Sequence, residues 1–282
     1  MIAGGLAATT LAFVGLPGHA RAATAPTYPG STPPGRRPHI GFWSIPKQSG
    51  PMPTIAPGYN WAPLIPWREK LDGSGQSFPY DGFTAEQQEQ SIGIGHDGMW
   101  YFGNNEGGLL CINHEYGTNP HVFGADAPAS LEQVRLSQAA HGVSVVGIRK
   151  TATGWRVWNS PNNRRIHVNT PVAFSGPAAS SPLLQNPAGN APAGTVNNCA
   201  NGYTPWGTYL TCEENFNGYF GATGSWTATA NQRRYGFAAG GFGYGWHAFD
   251  PRFDLSDPAY VNEHHRFGWS SRSIPIARIC RR

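Results

Sequence analysis

Charge is scarce in this chain. Only 13 % of its 282 residues are Asp, Glu, Lys or Arg, about half the usual share for a soluble domain. The net charge of +4 comes from one end: Arg272, Arg278, Arg281 and Arg282 all lie in the last eleven residues. Without those four the 20 Lys plus Arg fall to 16, equal to the 16 Asp plus Glu. The body is neutral and has no sustained basic face, which excludes nucleic acid as the expected partner. Cysteine is sparse too. Cys111, Cys199, Cys212 and Cys280 are too few and too far apart for a disulfide framework, and Cys280 sits in the basic tail. That leaves three, so at least one is expected free or metal-bound. Tandem repeats with a readable period are lacking, so no WD-type signature is present. Long apolar runs are lacking as well. Residues 1–23 carry a short apolar core, Phe13-Val14-Gly15-Leu16 among it, and close on Ala20-Arg21-Ala22. The segment is too short and too rich in Gly and Ala to span a membrane, and it ends in a small-x-small cleavage signal. It predicts a signal-peptide-like segment and a periplasmic or secreted protein, although no positive charge precedes the apolar core.

Turn formers are plentiful. Gly 37 and Pro 25 make 62 of 282 residues, about 22 %, below the roughly 25–30 % of disorder-prone chains. With 12 % aromatics and ten Trp, this predicts short strands joined by many ordered turns. Residues 24–38 read as an exposed arm. Strands are expected over 39–45, 98–103 and 109–113, and a hairpin over 143–149 and 155–158. Helix is expected only over 84–90 and 130–140, as surface insertions. The fold class is therefore all-β with long loops and a few short helices, and a propeller or a sandwich fits equally.

Three glycine-flanked strands carry metal-competent residues: Ile94-Gly95-His96-Asp97-Gly98-Met99, then Leu110-Cys111-Ile112-Asn113-His114-Glu115-Tyr116, then the stretch from Asn198-Cys199 to Cys212-Glu213-Glu214-Asn215. In the last, a Gly-x-Thr-Pro-Trp-Gly turn can fold the strand back and bring Cys199 near Glu213 or Glu214. A thiolate suits a transition metal, and carboxylates suit calcium or ferric iron. A lone Cys is also commonly a small buried hydrophobe, and paired Glu a solvated face. The residues alone leave both readings open. Cys111 and Cys212 read as core residues.

The run Asn198-Cys199-Ala200 through Thr204-Pro205-Trp206-Gly207 to Thr211-Cys212-Glu213-Glu214-Asn215 resembles the central motif of the PhoX alkaline phosphatases. Other stretches resemble the family in the same order: Leu64-Ile65-Pro66-Trp67, His96-Asp97-Gly98-Met99, Cys111-Ile112-Asn113-His114-Glu115-Tyr116, His141-Gly142-Val143-Ser144, Asn163-Arg164-Arg165-Ile166, Thr170-Pro171-Val172 and Arg234-Tyr235-Gly236. The resemblance implies the N-terminal portion of a β-propeller and hydrolysis of small phosphomonoesters on iron and calcium. It also implies export, commonly by the twin-arginine route, and a monomeric intact form with no stable membrane span. It gives Cys199 the role of an iron ligand, adds Glu214 and Glu213 as carboxylate ligands with Glu115 and Asp97, and offers Arg164 and Arg165 to phosphate. Two plain surface arginines are the alternative there. A secreted glycan-binding propeller without catalysis is the competing function, but a glycan platform needs neither the thiol nor the paired acids.

The chain departs from the family twice. The twin-arginine pair is missing, and the resemblance stops at Trp269. The domain organisation expected is thus a signal-like segment over 1–23, a partial PhoX-like propeller domain over 24–269, and an out-of-frame tail over 270–282, so that this chain is an inactive fragment. The tail has no acid and no strand alternation. Codons for it exist that, preceded by one extra G, read Val-Val-Glu-Ile-Asp-Pro-Tyr-Arg-Pro-Asp-Leu-Pro-Pro, whose opening Val-Val-Glu-Ile-Asp-Pro is the stretch that the family resemblance implies after Gly268-Trp269. Sequencing the DNA after the Trp269 codon checks this. If no frame there encodes Val-Glu-Ile-Asp-Pro, the lost nucleotide is ruled out.

Overall fold

The computed structural model describes residues 45–273 apart from 188 and 190. The signal-like segment, the arm, nearly all of the strand expected over 39–45, and Cys280 lie outside the described residues. Two units are present, residues 1–63 and residues 64–282. The described part of the first, 45–63, contains only bends and turns.

The second unit holds two antiparallel sheets. The first contains β1 (His96–Gly103), β2 (Gly107–His114), β3 (Gly142–Thr151) and β4 (Gly154–Val157) in meander order, with β5 (Arg164–Ile166) also paired to β3. The second runs β6 (Asn198–Tyr203), β7 (Tyr209–Glu213), β8 (Ser270–Ser273). The apolar run Val143 to Ile148 explains why β3 is central: it is buried on both faces. Its Val146 and Ile148 join Ile65, Ile92, Ile112 and Val157 on one side. Val143 and Val145 join Leu109, Cys111 and Tyr209 on the other. The β3–β4 turn is tighter than expected, with Gly154 in the left-handed region at φ 113° where its missing Cβ removes the strain. β8 pairs with β7 from Tyr209↔Ser273 to Cys212↔Ser270. The first tail residues thus form a strand without side-chain alternation, because backbone groups alone satisfy a free sheet edge.

Helices are short. α1 (Ala85–Glu89) is held by a capping box from Thr84 and Gln87, and α3 (Leu131–Ala140) is capped by Ser130. α2 (Asn119–Phe123) and α4 (Ala230–Arg234) are the helices that the sequence reading omits. The expectation that 130–140 is a surface insertion is corrected. Val134, Leu136, Ser137, Gln138, Ala139 and Ala140 are all buried, and Gln138 with Arg135 grips the buried Asp250 at 2.8 and 2.7 Å. Small and amide side chains let this helix pack where its weak apolar periodicity hides the contact. The chain from 214 to 269 is built of 3-10 turns and the short α4 rather than strands. In Gly241-Phe242-Gly243-Tyr244-Gly245 each glycine takes positive φ, and the segment leads Tyr244 and Trp246 into a cluster with Tyr219, Phe220, Phe253 and Phe267. No helix among the described residues is long and apolar enough to cross a membrane.

His141 sits between this cluster and the first sheet. Its Nδ1 lies 2.7 Å from Ser137 O, its ring is ringed by Tyr219, Tyr244 and Trp246, and Nε2 has no partner. Burial, aided by the Arg165 charge, lowers its pKa from 6.5 to about 4. His167 is lowered to about 4 in the same way, so its 3.6 Å approach to Glu89 involves a neutral ring. The unfolded chain takes up these protons near pH 6.5 while the folded chain refuses them until about pH 4. Stability present above pH 6.5 is therefore lost as pH falls toward 4. We expect the urea midpoint to drop between pH 7 and pH 5 by the equivalent of about 2 kcal/mol for His141 alone. A midpoint that stays flat over that window contradicts neutral burial.

Candidate metal centre

Two β-bulges build the centre. Between His96↔His114 and Met99↔Ile112, β1 advances three residues while β2 advances two. Between Asn198↔Glu213 and Asn201↔Thr211, β6 does the same against β7. Each bulge re-aims one side chain and disrupts the local ladder. The first contains Asp97, the second Cys199. Glu115 follows β2 directly, its N–H donating to Gly95 O at 2.8 Å. The bulges approach closely at Gly98, where a Cβ would meet Cys199 O at 2.6 Å and Asn201 Oδ1 at 2.7 Å. Only glycine fits there.

The result is a convergence of three donors. One ligand atom each from Asp97, Glu115 and Cys199 all lie within 4.8 Å of one another, and each residue is partly buried. No other trio of His, Cys, Asp or Glu converges this way among the described residues. Burial, hydrogen bonding to Asp97, and the charges of Asp97 and Glu214 raise the Glu115 pKa to about 7. Burial first, then Asp97, Glu214 and Glu115, push the Cys199 thiol up to about 12. Every side-chain charge that acts on these two groups is negative, so the cluster is set up to favour a cation. Sulfur beside carboxylate oxygens is a donor set for a transition metal with a harder ion alongside.

Glu214, exposed at the rim, contributes its charge to both Glu115 and Cys199. Glu213 does not join them, which corrects its place as a ligand. Successive side chains on an extended strand face opposite ways, and its carboxylate turns to accept from the N–H groups of Gly268 at 2.7 Å, Trp269 at 3.1 Å and Val196 at 3.3 Å. Arg165 is likewise corrected as a phosphate contact. It is buried, and its guanidinium donates to Ser91 O at 2.8 Å and His141 O at 2.7 Å. Arg164 donates to Asn162 O at 3.0 Å. Both arginines line a depression of about 360 Å³ with Lys70, Asp72 and Glu89, which shares no residue with the centre. Adjacent arginines on an antiparallel strand tie the sheet to its surroundings and leave the centre to carboxylate and thiol.

A cleft of about 430 Å³ opens beside the centre, with Glu115 as the shared wall. Tyr116, Phe242 and Tyr244 give it rings, and Asn197 and Asn215 give it amides. None of these was distinguishable in the sequence as a site residue, since they come from four separate segments. Cys111, Cys199 and Cys212 are all free thiols, Cys111 being buried with its pKa pushed up to about 12.

The model of the PhoX alkaline phosphatases matches residues 40–271. The solved structure of Pseudomonas fluorescens PhoX in complex with vanadate, a transition-state analogue, is 39 % identical, with a TM-score of 0.77. The match covers 82 % of this chain and 41 % of that one, so the chain spans well under half the length of the structure it resembles. Among curated proteins none matches. The bulged strands that carry Asp97 and Cys199, the Glu115 turn and the Glu213-Glu214 hairpin all fall inside the matched region, and the chain belongs to the PhoX alkaline phosphatase family.

Proposed function

We propose that the centre formed by Asp97, Glu115, Cys199 and Glu214 holds iron and calcium and serves the hydrolysis of small phosphomonoesters. The observation that carries this reading is the convergence of one thiol and two carboxylates within 4.8 Å, on the motif that defines the family resemblance. Cys199 supplies the soft donor that iron accepts, and the carboxylates supply the hard oxygens that calcium requires. Bound metal supplies neutralisation of phosphate charge and an activated oxygen. The rings of Tyr116 and Phe242 and the amides of Asn197 and Asn215 offer a surface to the organic part of the ester. The two sheets are read as blades of a propeller, and export and a monomeric state accompany the family reading.

The test begins with the full chain dialysed against iron and calcium. We expect bound metal, and binding of vanadate as a phosphate mimic that disappears with EDTA and returns on metal addition. Hydrolysis of p-nitrophenyl phosphate by this chain, which covers 41 % of the related PhoX structure, should stay at background even with metal bound. A chain that takes up neither ion, or that binds vanadate equally well after chelation, rules out the metal centre.

A further inference from the structure

The two bulges create a backbone problem that one side chain solves. Bulged residues lose ladder partners, and their carbonyls must find donors elsewhere. The carbonyls of Cys199 and Ala200 are reached by Asn113 Nδ2, at 2.7 and 3.3 Å. Asn113 is fully buried and lies on β2 directly across from the first bulge, between the paired positions Ile112 and His114. Its Oδ1 accepts from Thr211 Oγ1 at 2.9 Å and lies 2.9 Å from the Tyr209 hydroxyl. That hydroxyl also lies 2.9 Å from Gly98 O, in the first bulge. Two carbonyls on one side and two hydroxyls on the other admit a single orientation of the amide, because carbonyls only accept.

We infer that Asn113 is a positioning residue for the centre, clasping the two bulges so that Asp97 and Cys199 face the same point. This rests on the reading of the centre as a metal site. Asn113 stands two residues before Glu115, grips the peptide of Cys199, and lies on β2 directly across from the bulge that carries Asp97. All three donors are thereby referred to one amide. Outer partners of this kind, when lost, weaken metal binding by about 10–100-fold.

The experiment uses the full chain with Co²⁺ as the probe, read through the thiolate-to-cobalt charge-transfer band that reports ligation by Cys199. The parent chain should show the band. Asn113→Leu removes the clasp, and Asn113→Ser keeps a polar group that is too short to reach Cys199 O. Either should weaken Co²⁺ binding by about tenfold or more and reduce or shift the band, measured at temperatures where circular dichroism matches the parent. Thr211→Val is the comparison. It removes a hydrogen bond from the same amide oxygen without touching Cys199, so it should lower thermal stability while holding Co²⁺ affinity within about twofold of the parent. If all three variants lose affinity only in proportion to their loss of stability, Asn113 is structural and the inference is wrong. It is wrong also if Asn113→Ser binds Co²⁺ as the parent does. A parent chain that folds but shows no band overturns the metal reading itself, and the positioning role with it.

Discussion

Replacing Cys199 by serine should strip iron from the chain and leave it folded. The side chain is only partly buried and belongs to none of the core clusters, while the Cys199 carbonyl stays gripped by Asn113. The change therefore removes a donor atom and little else. A hydroxyl is a harder and far less acidic donor than a thiol, and soft metals discriminate against it. We expect iron affinity to fall by more than about a hundredfold, beyond the 10–100-fold that accompanies loss of an outer partner. Calcium held by the carboxylates should change much less. Asp97→Asn provides the contrast. Asp97 offers a carboxylate oxygen within 4.8 Å of the Glu115 and Cys199 donors, so its neutralisation should weaken iron and calcium together. Iron and calcium content, measured after dialysis on protein with parent-like circular dichroism, checks both. Iron retained at parent stoichiometry by the serine variant removes Cys199 from the centre.

The distribution of what was legible in the sequence follows from geometry. The strands that form β1, β2, β3 and β4 were readable because their apolar runs end in turn residues, and the β6–β7 hairpin because Thr204, Pro205 and Gly207 mark it. Gly207 takes φ 84° and closes the turn with its N–H on Thr204 O at 2.9 Å. Asp97, Glu115 and Cys199 were readable as donors by residue type and resemblance. Their convergence was not. It depends on one extra residue in each of two strands, and a bulge leaves no mark in composition. Asn113 shows the same limit. A polar residue within Leu110-Cys111-Ile112-Asn113-His114 signals a special position, but nothing local says that its partners lie 86 and 98 residues away. The segment from 214 to 269 carried no periodicity to read, for another reason. Its glycines at 241, 243 and 245 permit left-handed turns, and the aromatic residues between them bury without strand pairing. The helix α3 was expected but its burial was hidden for a third reason: Ser137, Gln138 and Ala139 read as polar or neutral surface, yet all three are buried, with Ser137 bonded to Trp246 and Gln138 to Asp250.

Glu213 and Glu214 are neighbours in sequence with different work, and substituting them one at a time should separate the two roles. The Glu213 carboxylate accepts from three backbone N–H groups on two segments, Val196 before β6 and Gly268-Trp269 before β8. The Glu213 N–H in turn donates to Trp269 O at 3.1 Å. One residue thus pins the end of β7 to the strands on both of its sides. Burial raises its pKa, but the three backbone donors oppose that rise and favour the charged form. Hydrogen bonds to a charged group contribute about 1.5–3 kcal/mol each when intact, and unpaired donors are left behind when the acceptor goes. Glu213→Ala should therefore cost about 3 kcal/mol and lower the midpoint of thermal unfolding by roughly 6–12 °C. Its metal content, below that midpoint, should match the parent. Glu214→Ala should do the reverse. Glu214 is exposed, and its carboxylate accepts from the adjacent Asn215 Nδ2 at 2.9 Å, so stability should move by no more than about 0.5 kcal/mol. Loss of its charge beside Glu115 and Cys199 should weaken cation binding. Differential scanning calorimetry and metal analysis on the two variants read the crossing directly. If Glu213→Ala sheds metal while folded and Glu214→Ala keeps it, the strand presents the other carboxylate to the centre, and the roles of the two are exchanged.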